Sequence, residues 1–397
     1  MKNRPRSANI ELLRIVAMFI IVIHHIVIHC VLVQLSKPAS MGREAVEIFN
    51  HPVFYKKLLI LDTCKTFGTI GNNIFLLISG FFRADRAGSE INMGKVSEKL
   101  LRELGFATIL LVCIPSVIHH MNPELFLSML SITRFNNTTW FVGYYFMVQL
   151  CGALFLNDFL GGLDYKKYTA FLLTLFAFIS FSWSGGLAEG LTSGLRMLFT
   201  GMFMYALGGF IKRFDPFKKL RLYVFFLTGF VVYLLIWISS YNLTETNIER
   251  YTRNASQDPF VQNTLNFDNY SIVIIILAVC LFEIFRRIHL PQSRVIAFLG
   301  RATFMVYLIH DNDLFYEIWN LRDWITTLGN SPAMFLFQLL KWGGYTFAAG
   351  VSAYALYEVC IWRSKKERRP PRMGELCRHR REYQPPETGI SDAPAGG

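Results

Sequence analysis

The first apolar segment of the chain carries ionisable side chains at a spacing that could do chemistry inside a membrane. On an α-helix, with about 100° between residues, Glu11 and Arg14 lie on one face and can form an ion pair. His25 follows Arg14 by eleven residues, close to three turns, so it lies on nearly the same face about 16 Å farther along the helix. His29 continues this polar stripe, whereas His24 points about 100° away from it.

Such a stripe is costly in a membrane, because lipid cannot solvate charged groups, and each of these groups is therefore a functional hypothesis by default. Aligned polar side chains on an otherwise apolar helix predict that the helix lines a polar cavity. Two other interpretations stay open. The pair of Glu11 and Arg14 could anchor the helix at the membrane surface, and a buried histidine could simply bond to a neighbouring helix.

The elements that must position this stripe are predicted to be membrane helices. Of the 397 residues, 53% are hydrophobic and 17% are charged, whereas about 25% of the residues of soluble proteins are charged. A helix needs about 20 largely apolar residues to cross the hydrocarbon core. We therefore predict an all-α fold, a polytopic membrane helix bundle of about ten transmembrane helices. The predicted spans are 9–33, 66–82, 104–120, 140–160, 168–184, 194–211, 220–239, 270–288, 295–312 and 334–362.

The net charge of +12 is explained by topology rather than by nucleic-acid binding. If the N-terminus is cytoplasmic, roughly 28 of the 40 Lys and Arg residues fall in loops and a tail on the cytoplasmic side, as the positive-inside rule requires. Both termini are then cytoplasmic in a multi-pass protein of the cell (inner or plasma) membrane, and the basic loops contact anionic lipid. No nucleic-acid partner is predicted.

The chain is expected to form one membrane domain followed by a tail. Residues 1–362 contain the predicted spans, and residues 363–397 are basic and then rich in Pro and Gly, which predicts a disordered cytoplasmic tail. The outer segment 311–332 carries aromatic residues that include Trp319 and Trp324. It is predicted to lie along the membrane interface as an amphipathic piece.

No metal site is predicted from the spacing of potential ligands. The seven cysteines are scattered and show neither paired metal-ligand spacing nor a disulfide framework. His25 and His29 form only an i, i+4 pair, and no Asp, Glu or His cluster has the spacing of a ligand set.

Motifs in the first half of the chain resemble those of the acyltransferase-3 family of bacterial integral membrane O-acyltransferases. Arg14 and His25 match that family's signature of an arginine, ten intervening residues and a histidine. The segment 71–82 resembles the family's second-helix motif, which ends in Ser-Gly-Phe, and a pair of arginines, Arg83 and Arg86, follows it.

Two later motifs agree in order with the same family. Residues 140–145 resemble its Trp-Phe helix start, and residues 307–310 resemble its Tyr-Leu-x-His element. The resemblance extends over about residues 8–360. It implies a membrane O-acetyltransferase of the bacterial cell envelope, with acetyl-CoA or another acyl-CoA as co-substrate and no bound cofactor.

The resemblance also implies roles for single residues. Members transfer an acyl group, commonly acetyl, from a cytoplasmic thioester to a hydroxyl of a cell-surface polysaccharide or lipid-linked sugar. Because a sugar hydroxyl is a poor nucleophile, His25 is the candidate general base or transient acyl carrier. Arg14, oriented by Glu11, would join Arg83 and Arg86 in a cationic site for the donor phosphates. Topogenic charge is the other interpretation of Arg83 and Arg86.

The remaining candidates are acceptor-binding or cavity residues: Asn72, Asn73, Trp140, Tyr144 and His310. The two amides either line the cavity and donate to a developing oxyanion or bond to other helices. Trp140 and Tyr144 either stack on the acceptor or anchor the helix at the interface. His310 either contacts a sugar or caps an exposed helix end.

The leading hypothesis is therefore an enzyme whose partners are acyl-CoA, an envelope glycan or lipid-linked sugar, and membrane lipid. The alternative is a glycan-export or flippase-like membrane component without acyl transfer, because many spans and a polar stripe also suit transport.

Overall fold

The computed structural model describes residues 7–118, 140–180, 189–253 and 267–367. These residues are helical with no β-strand among them, so the predicted all-α class is confirmed for this part of the chain. The α-helices are α1 (Ala8–Ile26), α2 (Leu32–Ser36), α3 (Arg43–Phe49), α4 (Pro52–Lys57), α5 (Leu59–Arg83), α6 (Met93–Ile118), α7 (Trp140–Cys151), α8 (Asn157–Gly161), α9 (Tyr165–Ser180), α10 (Glu189–Phe214), α11 (Leu222–Arg253), α12 (Ile272–Arg287), α13 (Arg294–His310), α14 (Asp313–Asn320), α15 (Trp324–Asn330) and α16 (Pro332–Glu367). Short 3-10 helices lie at Pro38–Met41 and Gly88–Glu90, and π-helical turns at Val27–Val31 and Gly152–Leu156.

Within the described residues, four helical stretches are long and apolar enough, by length and composition, to cross a membrane. They are Ala8–Ser36, Trp140–Gly161, Gly194–Phe214 and Leu222–Tyr241. The predicted ten-span topology is not confirmed and stays a prediction. Helix α5 shows why the two counts differ: it covers the predicted span 66–82, but its adjacent asparagines and its glycines make it less apolar.

The bundle is packed around α5, which contacts α1, α10, α11 and α12. Glycines let these neighbours approach closely. A methyl group added at Gly80 would overlap the backbone of Tyr205 in α10, and one added at Gly71 would collide with Ile21 in α1. Small residues at such crossings are typical of membrane helices, which are held together by close packing. The glycines of the 71–82 motif therefore fix where α1 and α10 lie.

Helix α1 contacts both α5 and α13 along its length, so its polar stripe faces these two helices. Near its start, Glu11 packs against Gly300 of α13, where a methyl group would overlap the carboxylate. After Ile26 the helix widens into the π turn Val27–Val31. An inserted π turn rotates the following side chains and is common at functional sites. His29 lies in this turn and its ring remains 5.5 Å from that of His25.

The segment predicted to lie along the membrane interface folds as α14 and α15, and its two tryptophans pack into the protein. Trp319 and Trp324 are both fully buried. Their Nε1 groups donate to Thr346 Oγ1 at 3.0 Å and to the Trp319 carbonyl at 2.9 Å. Gln34 of α2 donates to the carbonyl of Arg322 at 2.8 Å. Each indole N–H therefore finds its partner inside the protein. That the segment lies along the membrane interface stays a prediction.

By packing, the chain divides into the units Met1–Tyr354 and Ala355–Gly397. The second unit begins within α16, which continues to Glu367. The disordered tail predicted for 363–397 lies, from residue 368 onward, outside the described residues. That tail and the domain boundary before it stay predictions.

Candidate active site

A cavity of about 520 Å³ lies where α1, α5, α7 and the end of α13 meet. We call it the histidine cavity. Its lining includes His24, His25, His29, Asn72, Trp140 and Asp311. The polar stripe of α1 thus faces a cavity rather than lipid, in agreement with one of the interpretations of the sequence. That these residues act in catalysis stays a prediction.

His25 contacts the end of α13 through one ring nitrogen. Its Nδ1 lies 2.8 Å from Nε2 of His310 and 3.4 Å from Oδ1 of Asp311. His310 is fully buried. The Nδ1 of His310 lies 3.0 Å and 2.9 Å from the carbonyl oxygens of Val306 and Tyr307. His310 is therefore an internal partner of His25 and not the exposed helix cap that the sequence also allowed.

Asp311 connects His25 to the first turn of α14. Its Oδ1 lies 3.7 Å from Nε2 of His29 and accepts a hydrogen bond from the Tyr316 hydroxyl. Burial and the Asp311 carboxylate raise the pKa of Tyr316 well above its usual range, so this hydroxyl remains a donor. The Tyr316 ring also stacks on His29, with centroids 4.2 Å apart. The imidazoles, the carboxylate and the phenol form one fixed cluster.

Three members of this cluster could in principle hold a metal ion. Ligand atoms of His25, His29 and Asp311 all lie within 4.8 Å of one another, and imidazole with carboxylate is a common zinc ligand set. The Nδ1 atom of His25 lies 2.8 Å from Nε2 of His310, so a metal bound through Nδ1 would compete with that bond. The prediction of no metal site stays a prediction.

His24 lines the same cavity but is held by α5. Its Nδ1 lies 3.4 Å from the carbonyl oxygen of Cys64, and its ring packs against Gly68, where a methyl group would overlap it. These contacts direct His24 towards α5, in agreement with its predicted position off the polar stripe. His25 is the member of the pair that meets His310 and Asp311.

A second cavity, of about 240 Å³, lies beside residues 14–21 of α1 and is lined by apolar side chains and four cations. We call it the basic cavity. The cations that line it include Arg14, Arg83, Lys99 and Arg301. Arg14 Nη1 lies 3.0 Å from Glu11 Oε1, so the ion pair expected from helix geometry is present. Arg83 Nη1 donates to Gln149 Oε1 at 2.7 Å, which fixes this guanidinium at the end of α5.

The two cavities lie end to end along the same helices. On each shared helix, a residue that lines the basic cavity lies within one turn of a residue that lines the histidine cavity. The pairs are Ile21 and His25 on α1, Phe75 and Asn72 on α5, Phe141 and Trp140 on α7, and Tyr307 and Asp311 at the end of α13. One helical turn advances about 5.4 Å. Phe141 and Tyr307 belong to these pairs. Their rings line the basic cavity, with centroids 5.7 Å apart.

Arg86, Asn73 and Tyr144 are predicted site residues that do not line either cavity. The side chain of Arg86 is exposed, in agreement with the topogenic interpretation. Asn73 is fully buried and donates at 2.8 Å to the carbonyl of Asn269, in the turn that precedes α12. Tyr144 is buried behind Trp140, with ring centroids 5.9 Å apart. Of the two adjacent amides, it is Asn72 that reaches the histidine cavity.

Lys99, Arg301 and Tyr316 line the cavities although sequence reasoning did not assign them to a site. In the sequence, Lys99 and Arg301 belong to the basic residues that the positive-inside rule assigns to the cytoplasmic side. The available signal was their position within a few residues of a predicted span end, which many other basic residues share. Tyr316 lay in the segment that was placed at the interface.

Comparison with known proteins supplies a family assignment. A family model described as an acyltransferase domain matches residues 7–358, a range that contains both cavities. No curated protein and no solved structure matches the chain.

Proposed function

The chain belongs to the acyltransferase-3 family, and we propose that this acyltransferase moves an acetyl group from acetyl-CoA to a hydroxyl of a cell-surface polysaccharide or lipid-linked sugar. We also propose that the protein lies in the cell membrane with both termini in the cytoplasm. In this topology the basic cavity is on the cytoplasmic side, where acyl-CoA is made.

The basic cavity supports the donor half of the proposal. Acetyl-CoA carries several phosphate charges, and guanidinium groups bind phosphate through paired hydrogen bonds. Arg14, Arg83 and Arg301 line this cavity together with Lys99. Glu11 holds Arg14 by their ion pair, so that the guanidinium is positioned before the donor arrives.

The histidine cavity supports the acceptor half. In the proposed step, the sugar hydroxyl oxygen attacks the thioester carbonyl while His25 takes the hydroxyl proton. The new ester C–O bond forms, the C–S bond breaks, and the proton passes from His25 to the leaving thiolate, which departs as the free thiol. Asn72 lines the same cavity, and in the proposed step its amide donates to the oxyanion that develops on the carbonyl.

One observation carries the proposal: the basic and the histidine cavity meet within about one helical turn on shared helices. In this proposal a thioester arm enters from the basic cavity, passes the rings of Phe141 and Tyr307 that line it, and brings its carbonyl to His25. Donor and acceptor then approach the same imidazole from opposite ends. This arrangement is what transfer from a cytoplasmic thioester to an outward-facing sugar requires.

The test follows a labelled acetyl group. Membranes that contain the protein are given acetyl-CoA labelled in the acetyl group, and the label in the glycan and lipid-linked sugar fractions is measured. We expect His25→Ala to reduce transfer by about 10²–10⁴-fold, whereas the adjacent control His24→Ala retains most of it. Both variants must be present in the membrane in folded form.

The outcomes separate the two function classes. Full transfer by His25→Ala would overturn the catalytic assignment. If the glycan fraction stays unlabelled in membranes that contain the unaltered protein, and glycan export is defective when the protein is lost, the flippase-like alternative is favoured.

A further inference from the structure

The hydrogen bonds of His310 determine where its proton lies. Its Nδ1 faces the carbonyl oxygens of Val306 at 3.0 Å and Tyr307 at 2.9 Å. A carbonyl oxygen can only accept, so this nitrogen must carry the hydrogen. His310 is fully buried, and a buried imidazolium next to a second imidazole would be costly. A neutral imidazole has a single N–H, and the Nε2 of His310 is therefore an acceptor.

That acceptor faces His25. The Nε2 of His310 lies 2.8 Å from Nδ1 of His25, and the two rings are within 12° of parallel with centroids 4.8 Å apart. Stacked ring faces come no closer than about 3.5 Å. The rings thus lie side by side, in the geometry of an N–H···N hydrogen bond. Because His310 Nε2 accepts, His25 Nδ1 must donate.

A second contact agrees with this direction. The carboxylate Oδ1 of Asp311 lies 3.4 Å from the same nitrogen of His25, and a carboxylate favours the N–H end of an imidazole over its lone pair. His310 and Asp311 are consecutive residues at the end of α13, so one helix end presents both groups to α1.

We propose that His310 is a positioning residue that holds His25 as the Nδ1–H tautomer, so that Nε2 of His25 carries no hydrogen and keeps its lone pair. The proposal rests on the function proposed above, in which His25 receives a proton. A base needs a lone pair directed at its substrate, and the tautomer of a histidine is set by the bond that its other nitrogen makes. In the wrong tautomer, Nε2 would carry a hydrogen and could not accept the proton of a hydroxyl.

The first experiment reads the tautomer and does not depend on activity. The full-length protein is prepared with ¹⁵N-labelled histidine in lipid bilayers, and the ring signals of His25 are assigned by difference from His25→Ala. The ¹⁵N shift separates protonated from bare ring nitrogens. For His25 in the unaltered protein we expect a protonated Nδ1 and an unprotonated Nε2. In His310→Leu we expect a population of His25 with a protonated Nε2. A bare Nδ1 in the unaltered protein would overturn the proposal.

The second experiment asks whether the tautomer matters for the reaction. We expect His310→Leu to lower kcat for acetyl transfer by about 10²-fold with little change in KM for acetyl-CoA. His310→Gln keeps an acceptor of similar reach and should recover most of this loss. The control Ile309→Leu repacks the same helix end and should leave kcat within about threefold.

The remaining outcomes are also decisive. If the tautomer is unchanged in His310→Leu but lost in Asp311→Asn, the positioning role belongs to Asp311 and the proposal for His310 is wrong. If His25→Ala is fully active while the tautomer is as expected, the proposed function fails and the hydrogen-bond assignment stands.

Discussion

The basic cavity and the histidine cavity share α1, α5, α7 and the end of α13, but their polar groups come from different kinds of side chain. The basic cavity takes its charge from long side chains that are at least partly exposed, such as Lys99 and Arg83. The imidazoles and carboxylate of the histidine cavity stand on shorter side chains that contact one another or a buried partner: His25 meets Asp311 and the buried His310 behind it.

This difference indicates how each cavity works. Long cations can follow a large, flexible anionic donor, and they contribute mainly to its affinity. Short groups that are held by several contacts cannot adjust to a ligand, and they contribute through fixed geometry at the reacting atoms. We therefore expect changes in the basic cavity to alter KM for the donor and changes in the histidine cavity to alter kcat.

The largest effect outside His25 and His310 is expected at Asp311. When His25 takes the hydroxyl proton it becomes a cation, and the Asp311 carboxylate lies 3.4 Å from its Nδ1. Asp311→Asn keeps the size of the side chain but removes the charge that stabilises this cation. We expect kcat to fall by about 10²-fold while KM for acetyl-CoA is unchanged, as measured by initial rates of labelled acetyl transfer.

The matched control is Asp313→Asn, which removes a carboxylate from the lining of the same cavity. We expect its kcat to stay within about threefold, because catalysis requires a charge at a fixed position. Equal losses in the two variants would show that only the net charge of the histidine cavity matters.

Local features of the basic cavity could be predicted from the sequence because helix geometry determines them. The ion pair of Glu11 and Arg14 follows from residues three apart on one helix. The all-α class follows from the apolar runs in the same way. The span count is harder, because α5 carries Asn72 and Asn73 in its middle and its length alone does not establish that it crosses a membrane.

The histidine cavity could not be predicted in this way. His25 and His310 are 285 residues apart in sequence, and their contact depends on how α1 packs against α13. Asn72 and Asn73 are adjacent and chemically identical, yet one lines the cavity and the other bonds to Asn269. Adjacent helical residues point about 100° apart, and only the positions of the neighbouring helices decide which of them faces the cavity.

The next largest effect is expected in the basic cavity and should be on affinity. Arg83 lines this cavity, whereas Arg86 is exposed and does not. A charge-assisted hydrogen bond is worth about 1.5–3 kcal/mol, so Arg83→Ala should raise KM for acetyl-CoA by about 10–100-fold with little change in kcat. Arg86→Ala should leave both constants nearly unchanged. A fall in kcat at constant KM for Arg83→Ala would break the contrast between the cavities.

A smaller effect is expected where the histidine cavity meets the acceptor. Trp140 lines the cavity and is 39% exposed, so its ring is available to stack on a sugar. Aromatic stacking is worth about 0.5–1.5 kcal/mol, and Trp140→Ala should therefore raise the acceptor KM by about 2–10-fold without changing the donor KM. Tyr144→Phe is the control, because the Tyr144 hydroxyl is buried without a hydrogen-bond partner among the described residues. If Tyr144→Phe shifts the acceptor KM as strongly, Trp140 is not the stacking group.

The smallest expected effect uses salt to compare the two cavities without a mutation. Added salt shortens the range of charge interactions, from about 10 Å at 0.1 M to about 3 Å at 1 M. The cations of the basic cavity are only partly buried or exposed, as Arg14 and Lys99 are, so their attraction for a phosphate-bearing donor should weaken. We expect KM for acetyl-CoA to rise by about twofold between 0.1 and 0.5 M salt, while the KM of an uncharged acceptor stays constant. Equal rises in both constants would mean that salt acts on the membrane or the fold, and the assignment of donor and acceptor to separate cavities would lose this support.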